Sequence, residues 1–218
     1  NPKSNTYLVL AASYMAMLDG IKESLEHHKT PEELENSISK EYGEEDFYLE
    51  KDRVYRSELD VFDEYTEDER DKYFGKAPRT VWENIRAFDL YPEKLEIFKR
   101  DDVMTGMALE SYKEATLAQW ATELHNRIVP DVMDLIRRCR KRHNDKECVD
   151  YDRHYWEKIQ KLRNYLGRDI LNEYCLLTRI VKALDKGDYE TASKLQTDMQ
   201  KKVEELNRLY IIYRKNLF

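Results

Sequence analysis

Apolar residues recur at three- and four-residue spacing through most of the chain, which predicts helices rather than strands. Between Tyr7 and Leu25 they fall on nearly every face of the predicted helix (Leu8, Leu10, Ala11, Tyr14, Met15, Leu18, Ile21), a pattern that expects burial on most sides. Thr30-Pro31-Glu32-Glu33 predicts a second, shorter helix, with a capping hydroxyl, proline in the first turn and carboxylates at the positive end of the dipole. From Tyr42 to about Gly75 the periodicity dissolves into acidic, tyrosine-rich sequence, and only a short helix after Thr66 is predicted there. Pro78 and Pro92 then open helices reaching Phe88 and Phe98.

Beyond Asp102 helix breakers nearly vanish and three long helices are predicted. The first runs from about Thr105 to Arg142, carries Trp120, Leu124, Ile128, Val132 and Cys139 on its seam, and kinks at Pro130, which removes a backbone donor. The second runs from Tyr151 to Lys186, with Ile159, Leu162, Leu166, Ile170, Leu177, Val181 and Leu184 in line; the third runs from Tyr189 to about Leu217. Gly187 followed by Asp188 is a stop-and-restart signal, a left-handed terminator beside a capping residue, so the last two helices are expected to form an antiparallel hairpin. The predicted fold class is all-α: short helices over residues 1–101, with an irregular acidic segment near 42–75, then a long antiparallel three-helix bundle over residues 102–218.

Composition fits thin helical layers, because 37% of the 218 residues are charged while sixteen Tyr and three Trp supply packing mass. The formal net charge of -7 argues against a general nucleic-acid binder or a protein of anionic membrane surfaces, both of which rely on clustered cations. No stretch approaches the roughly 18 apolar residues of a membrane-spanning helix, and the start from Asn1 to Asn5 has no signal-peptide pattern. Three cysteines suit reduced thiols, so the expectation is a cytoplasmic protein with neither nucleic-acid nor membrane partner. The sequence begins without Met, which reads as a processed chain or an excised piece of a longer one.

Cys139, His143, Cys148 and His154 have the residue types of a tetrahedral zinc site, but their spacing is not that of a common finger. The favoured reading needs no metal: Cys139 faces the helix seam, His143 complements a helix end and Cys148 sits in the connection. The basic run from Arg137 to Arg142 is likewise read as a solvated helix end ahead of a phosphate or acidic-partner patch. The carboxylate runs Glu44-Glu45-Asp46 and Glu67-Asp68-Glu69 lack the paired arrangement that acid–base catalysis requires, and His125 is read as partly buried and structural. The tyrosines at 42, 48, 55, 65 and 73 suit either a partner surface or packing between thin layers. There is no phosphate loop, nucleotide fingerprint, HExxH or nucleophile elbow.

The first helix also carries a resemblance. Asn1-Pro2-Lys3-Ser4-Asn5-Thr6-Tyr7-Leu8, then Ala11-Ala12, then Met15-Ala16-Met17-Leu18-Asp19-Gly20-Ile21, is similar to the glutamine synthetase stretch D-P-x-A-N-P-Y-L, A-A, M-A-G-L-D-G-I, in order and without a gap. Tyr65 to Glu69 resembles that family's L-P-P-E-E segment, Arg79 to Ile85 its G-S-L-E-E-A-L helix, and Val103 to Tyr112 its last helix. The likeness covers roughly residues 1–125, and the helical continuation beyond it is similar to the longer, type III-like members. Thr6 and Met17 depart from the family's Pro and Gly, and residue 63, where adenylylated members carry the modified Tyr, is Asp.

The resemblance implies that residues 1–101 belong to the C-terminal part of a glutamine synthetase catalytic lobe. It implies structural roles for the motif residues Asn1, Pro2, Asn5, Tyr7, Leu8, Asp19 and Gly20, and no catalytic residue in this chain. The family's metal-binding carboxylates, its ATP and glutamate contacts and its catalytic Arg precede the stretch that starts at Asn1. The parent is then expected to ligate ammonia to glutamate with ATP and Mg or Mn and to form a homo-oligomer, while this chain binds no cofactor, catalyses nothing alone and packs on the upstream catalytic part. Two alternatives remain: a non-catalytic helical interaction module, and a related ligase with another amine acceptor.

Overall fold

The computed structural model describes residues 5–146 and 148–215. Among them the chain is mostly helical with no strand; the one β-type pairing is an isolated bridge between Ile170 and Glu173. No helix among these residues is long and apolar enough to cross a membrane. The described residues form two compact units, one from 5–78 and 88–109, the other from 79–87 and 110–215 without 147.

The first unit begins with α1 (Thr6–Glu26), whose start is set by Asn5: its side-chain oxygen accepts the Tyr7 and Leu8 N–H groups at 3.1 and 3.2 Å. Helices α2 (Pro31–Ser37) and α3 (Glu67–Tyr73) each open on a complete capping box, Thr30 with Glu33 and Thr66 with Glu69. The caps' N–H groups hold both glutamates below their usual pKa. Between these helices the chain is irregular, and the buried ammonium of Lys40 gathers it by donating to the carbonyls of Lys51 (3.1 Å), Glu44 (3.3 Å) and Glu41 (3.5 Å). Tyr42, Tyr65, Tyr73 and Phe74 meet edge to face at 5.4–6.2 Å, so these tyrosines pack the thin layer. Helix α5 (Pro92–Lys99) packs on α1.

In the second unit α4 (Val81–Leu90) starts three residues later than Pro78 predicts, because the Thr80 hydroxyl caps it by accepting the Glu83 N–H at 3.2 Å. Helix α6 (Gly106–Glu123) leads into a π-helical turn, Leu124–Ile128, and then α7 (Val129–Arg138). The widened turn lies just before Pro130, where the ring would crowd the preceding turn and one N–H is missing. The helix ends at Arg138, short of the predicted Arg142.

The second predicted helix is in fact two, α8 (Asp150–Gly167) and α9 (Leu176–Asp185), so the expected three-helix bundle is not what the chain forms. The chain leaves the helical line at Arg168, which is extended at φ -126 and ψ 107. Gly167 lies where an added Cβ would stand 3.1 Å from Ile136 Cδ1 and 3.3 Å from Met133 Sδ. Asp169 then accepts the Cys175 N–H at 2.8 Å and the Thr178 hydroxyl at 3.1 Å, which starts a new helix. The break resets the seam: Ile170 is exposed, and α9 buries Leu176, Leu177, Ile180 and Ala183.

Between α9 and α10 (Tyr189–Lys215) the stop-and-restart signal works as predicted. Gly187 adopts φ +70, its N–H bonds to Leu184 O, and Asp188 N–H reaches back to Ala183 O, a Schellman ending; Asp188 Oδ1 then accepts the Thr191 N–H. Helix α10 packs on both α8 and α9 over one core that includes Leu124, Ile159, Leu166, Leu176, Met199 and Leu206. Two of its internal polar contacts are side chain to side chain: Trp120 Nε1–H donates to Gln196 Oε1 at 2.9 Å, and the Thr80 and Ser193 hydroxyls meet at 2.6 Å.

Candidate functional site

The motif-bearing helix α1 is two-faced. One side turns inward on Met15 and Asp19, both nearly inaccessible, with Leu8, Ala11, Ala12 and Leu18 partly covered. Asp19 is the polar centre of this face: its carboxylate accepts from Arg100 Nη1 at 2.9 Å and from the Tyr48 hydroxyl at 3.2 Å. Burial first, and then the Asp19 charge, push the Tyr48 phenol above its usual pKa, so it stays protonated as a donor. Gly20 follows without any neighbour at its Cα face.

The other side of α1 is apolar and open. Tyr7, Leu10, Tyr14, Met17, Ile21 and Leu25 succeed one another at three or four residues and are each at least half exposed. At 1.5 Å rise per residue this stripe runs about 27 Å along the helix. The expectation of burial on most faces therefore fails for the molecule as it stands: elements of its own unit cover one side only. Of the motif residues, Asn5 is the helix cap, Tyr7 and Leu8 open the two faces and Asp19 anchors the inner one. Asn1 and Pro2 lie outside the described residues.

The four candidate zinc ligands do not converge. Cys139 is buried in the core of the second unit, where desolvation pushes its thiol pKa up, and His154 is exposed with its ring edge-on to Tyr155. His143 and Cys148 do approach each other, with Asp145 as a third donor that sequence reasoning missed; the ligand atoms lie within 4.8 Å of one another. Each is already supplied. Tyr213 Oη accepts the Arg142 and His143 N–H groups at 2.8 and 3.1 Å, so its proton goes to His143 Nδ1 at 2.8 Å. A neutral His143 then carries its own proton on Nε2, 3.7 Å from Asp145 Oδ1.

Asp145 is ion-paired with Lys141, whose hydrogen bond holds the carboxyl below its usual pKa, and Cys148 Sγ accepts from Arg153 Nε at 3.1 Å. With Lys141 on Asp145 and Arg153 on Cys148 the three groups form a clasp that closes a loop; their nitrogen and sulfur donors do not suit Mg or Mn, which prefer oxygen ligands, while the residue types are ones zinc takes. His125 departs from its partly buried reading: it is exposed on the π-helical turn, with Nδ1 at 2.7 Å from Asn126 Oδ1.

No protein-family model, no curated protein and no solved structure matches the chain.

Proposed function

We propose that the chain is the C-terminal structural portion of a glutamine synthetase, which ligates ammonia to glutamate with ATP. The observation that carries this reading is the division of labour on α1. Asp19, a residue of the D-G-I part of the motif, is buried and held by Arg100 and Tyr48, while an unbroken apolar stripe on the opposite face has no partner. Such a stripe needs a cover. In this reading the cover is the upstream catalytic part of the same polypeptide, which also supplies the metal carboxylates, the ATP contacts and the catalytic Arg. ATP and Mg or Mn then belong to that part, and this chain buttresses it and contributes helical surface to a homo-oligomer.

The test is glutamate-, ATP- and ammonia-dependent phosphate release with magnesium or manganese, measured on this chain and on the natural full-length product. Activity in the full-length product alone is the expected result. A folded and assembled full-length product that releases no phosphate under these conditions overturns the reading. The alternative of a helical interaction module draws on the second unit, which has a complete core of its own. It is favoured if the full-length product is silent with every amine acceptor tried.

A further inference from the structure

The end of α7 and the end of α10 flank an open, shallow concavity of about 490 Å³ in the second unit. Arg137, Arg138, Arg140 and Arg142 line it from one side, Tyr210 and Arg214 from the other, and Asp134 is the one carboxylate in its wall. Asp134 pairs with Arg137 at 3.2 Å; among the described residues no ion pair engages Arg138, Arg140, Arg142 or Arg214. A solvated helix end accounts for part of this charge, since each helix C-terminus carries about half a negative charge. Among the described residues, five guanidinium groups, less one carboxylate and two such termini, still leave about three positive charges unbalanced. The excess is local to a chain whose formal net charge is -7.

The backbone that carries these arginines is fastened in place. Tyr210 Oη accepts the Arg140 N–H at 3.3 Å and lies 3.3–3.4 Å from the carbonyls of Arg138 and Arg140. Tyr213 Oη accepts the Arg142 and His143 N–H groups, and the clasp of His143, Asp145 and Cys148 closes the loop behind them. The Arg214 guanidinium stacks 6.0 Å above the Tyr210 ring. The segment after α7 is thus irregular in conformation yet pinned to α10 by two tyrosines, so little ordering remains to be done when a ligand arrives.

We propose that this concavity binds the phosphate chain of a small molecule. Guanidinium forks match phosphate oxygens two at a time, the positive excess offsets most of the charge of a phosphate chain, and the volume lies in the range of small-ligand sites. The test is calorimetric titration of the whole chain, without divalent metal and at low salt, with inorganic tripolyphosphate and with a nucleoside triphosphate. Saturable one-to-one binding that weakens as salt is added is the expected result. Tighter binding of the nucleotide assigns the source to a nucleotide, and equal affinities assign it to the phosphate chain alone.

Combined replacement Arg140→Gln, Arg142→Gln and Arg214→Gln lowers the affinity about 30-fold, in line with the loss of charge-assisted hydrogen bonds. These side chains are exposed and take part in no internal ion pair, so the fold survives the change. A charge-matched variant outside the concavity, Arg56→Gln, Arg127→Gln and Lys194→Gln, stays within about twofold, since only the general field changes. Absence of saturation by either compound overturns the proposal, as does an equal loss in the charge-matched variant. Displacement of tripolyphosphate by a poly-glutamate peptide at equal concentration overturns it in favour of an acidic protein partner.

Discussion

The unit built on α8, α9 and α10 buries Leu124, Ile159, Leu166, Leu176, Ile180 and Leu206 completely, and its few internal polar groups find each other. The unit that contains α1 buries, among its described residues, only three apolar side chains, Met15, Met104 and Leu109. Its order comes instead from polar hubs, Lys40 gathering three carbonyls and Asp19 holding Arg100 and Tyr48, and from tyrosines packed edge to face. Meanwhile it leaves seven large apolar residues of α1 open. Apolar material is therefore not scarce in the first unit; it faces the wrong way for a self-sufficient core. The first unit turns its longest hydrophobic surface outward, while the second gathers most of its own into one core.

The comparison breaks most sharply at the core of the second unit. Leu206→Ala empties a fully buried site and is expected to cost about 3 kcal/mol. Urea unfolding followed by tryptophan fluorescence reads that unit alone, because Trp82, Trp120 and Trp156 all lie in it. A loss below about 1 kcal/mol would mean that the core collapses around the gap and is no tighter than the first unit. Gln196→Leu comes next: it strands the buried Trp120 N–H without an acceptor, for an expected cost of about 2 kcal/mol in the same assay. A neutral outcome there would show that the indole finds water.

In the first unit the corresponding change is polar. Lys40→Met keeps the apolar stem and removes the ammonium from the carbonyls of Glu41, Glu44 and Lys51. Amide exchange at Gly43, whose N–H bonds to the Lys51 carbonyl, is expected to quicken about tenfold, equivalent to about 1.4 kcal/mol of local stability. Unchanged exchange would transfer the ordering role to the tyrosines.

Sequence reading succeeds where a local rule decides and fails where a long-range contact does. The caps at Asn5, Thr30 and Thr66 and the terminator at Gly187 act within four or five residues, and each element they bound is legible. Periodicity alone carries α8 straight through Gly167 into α9, because nothing local announces that Ile136 and Met133 stand against that glycine. Asp169 reaches the start of α9 from six residues upstream, which no capping pattern announces, and the apolar line that hides the break includes the exposed Ile170. The His143 clasp was half legible: two residues were marked for the right neighbourhood, but Asp145 and the Tyr213 hydroxyl come together only through the fold. Equally, the basic run is plain in sequence, whereas Arg214 and the tyrosine fastening arrive from 70 residues away.

The smallest expected effect concerns the two aspartates that start α9 and α10. Asp169 is held below its usual pKa, first by the Cys175 N–H, and Asp188 likewise by its hydrogen bonds with Thr191. A carboxyl whose folded pKa is depressed contributes stability that is fully present above its unfolded pKa and is lost as pH falls through the folded one. The second unit is therefore expected to lose melting temperature as pH drops from 5 toward 3, read by tryptophan fluorescence. Asn caps a helix nearly as well as Asp at position 188, keeps an accepting oxygen at position 169, and titrates at neither. The double variant Asp169→Asn and Asp188→Asn is thus expected to melt slightly lower than the natural chain at pH 7 and level with it at pH 3. Parallel curves across that range would place the acid sensitivity of this unit elsewhere, with Asp145 and its pairing to Lys141 the next carboxylate to replace.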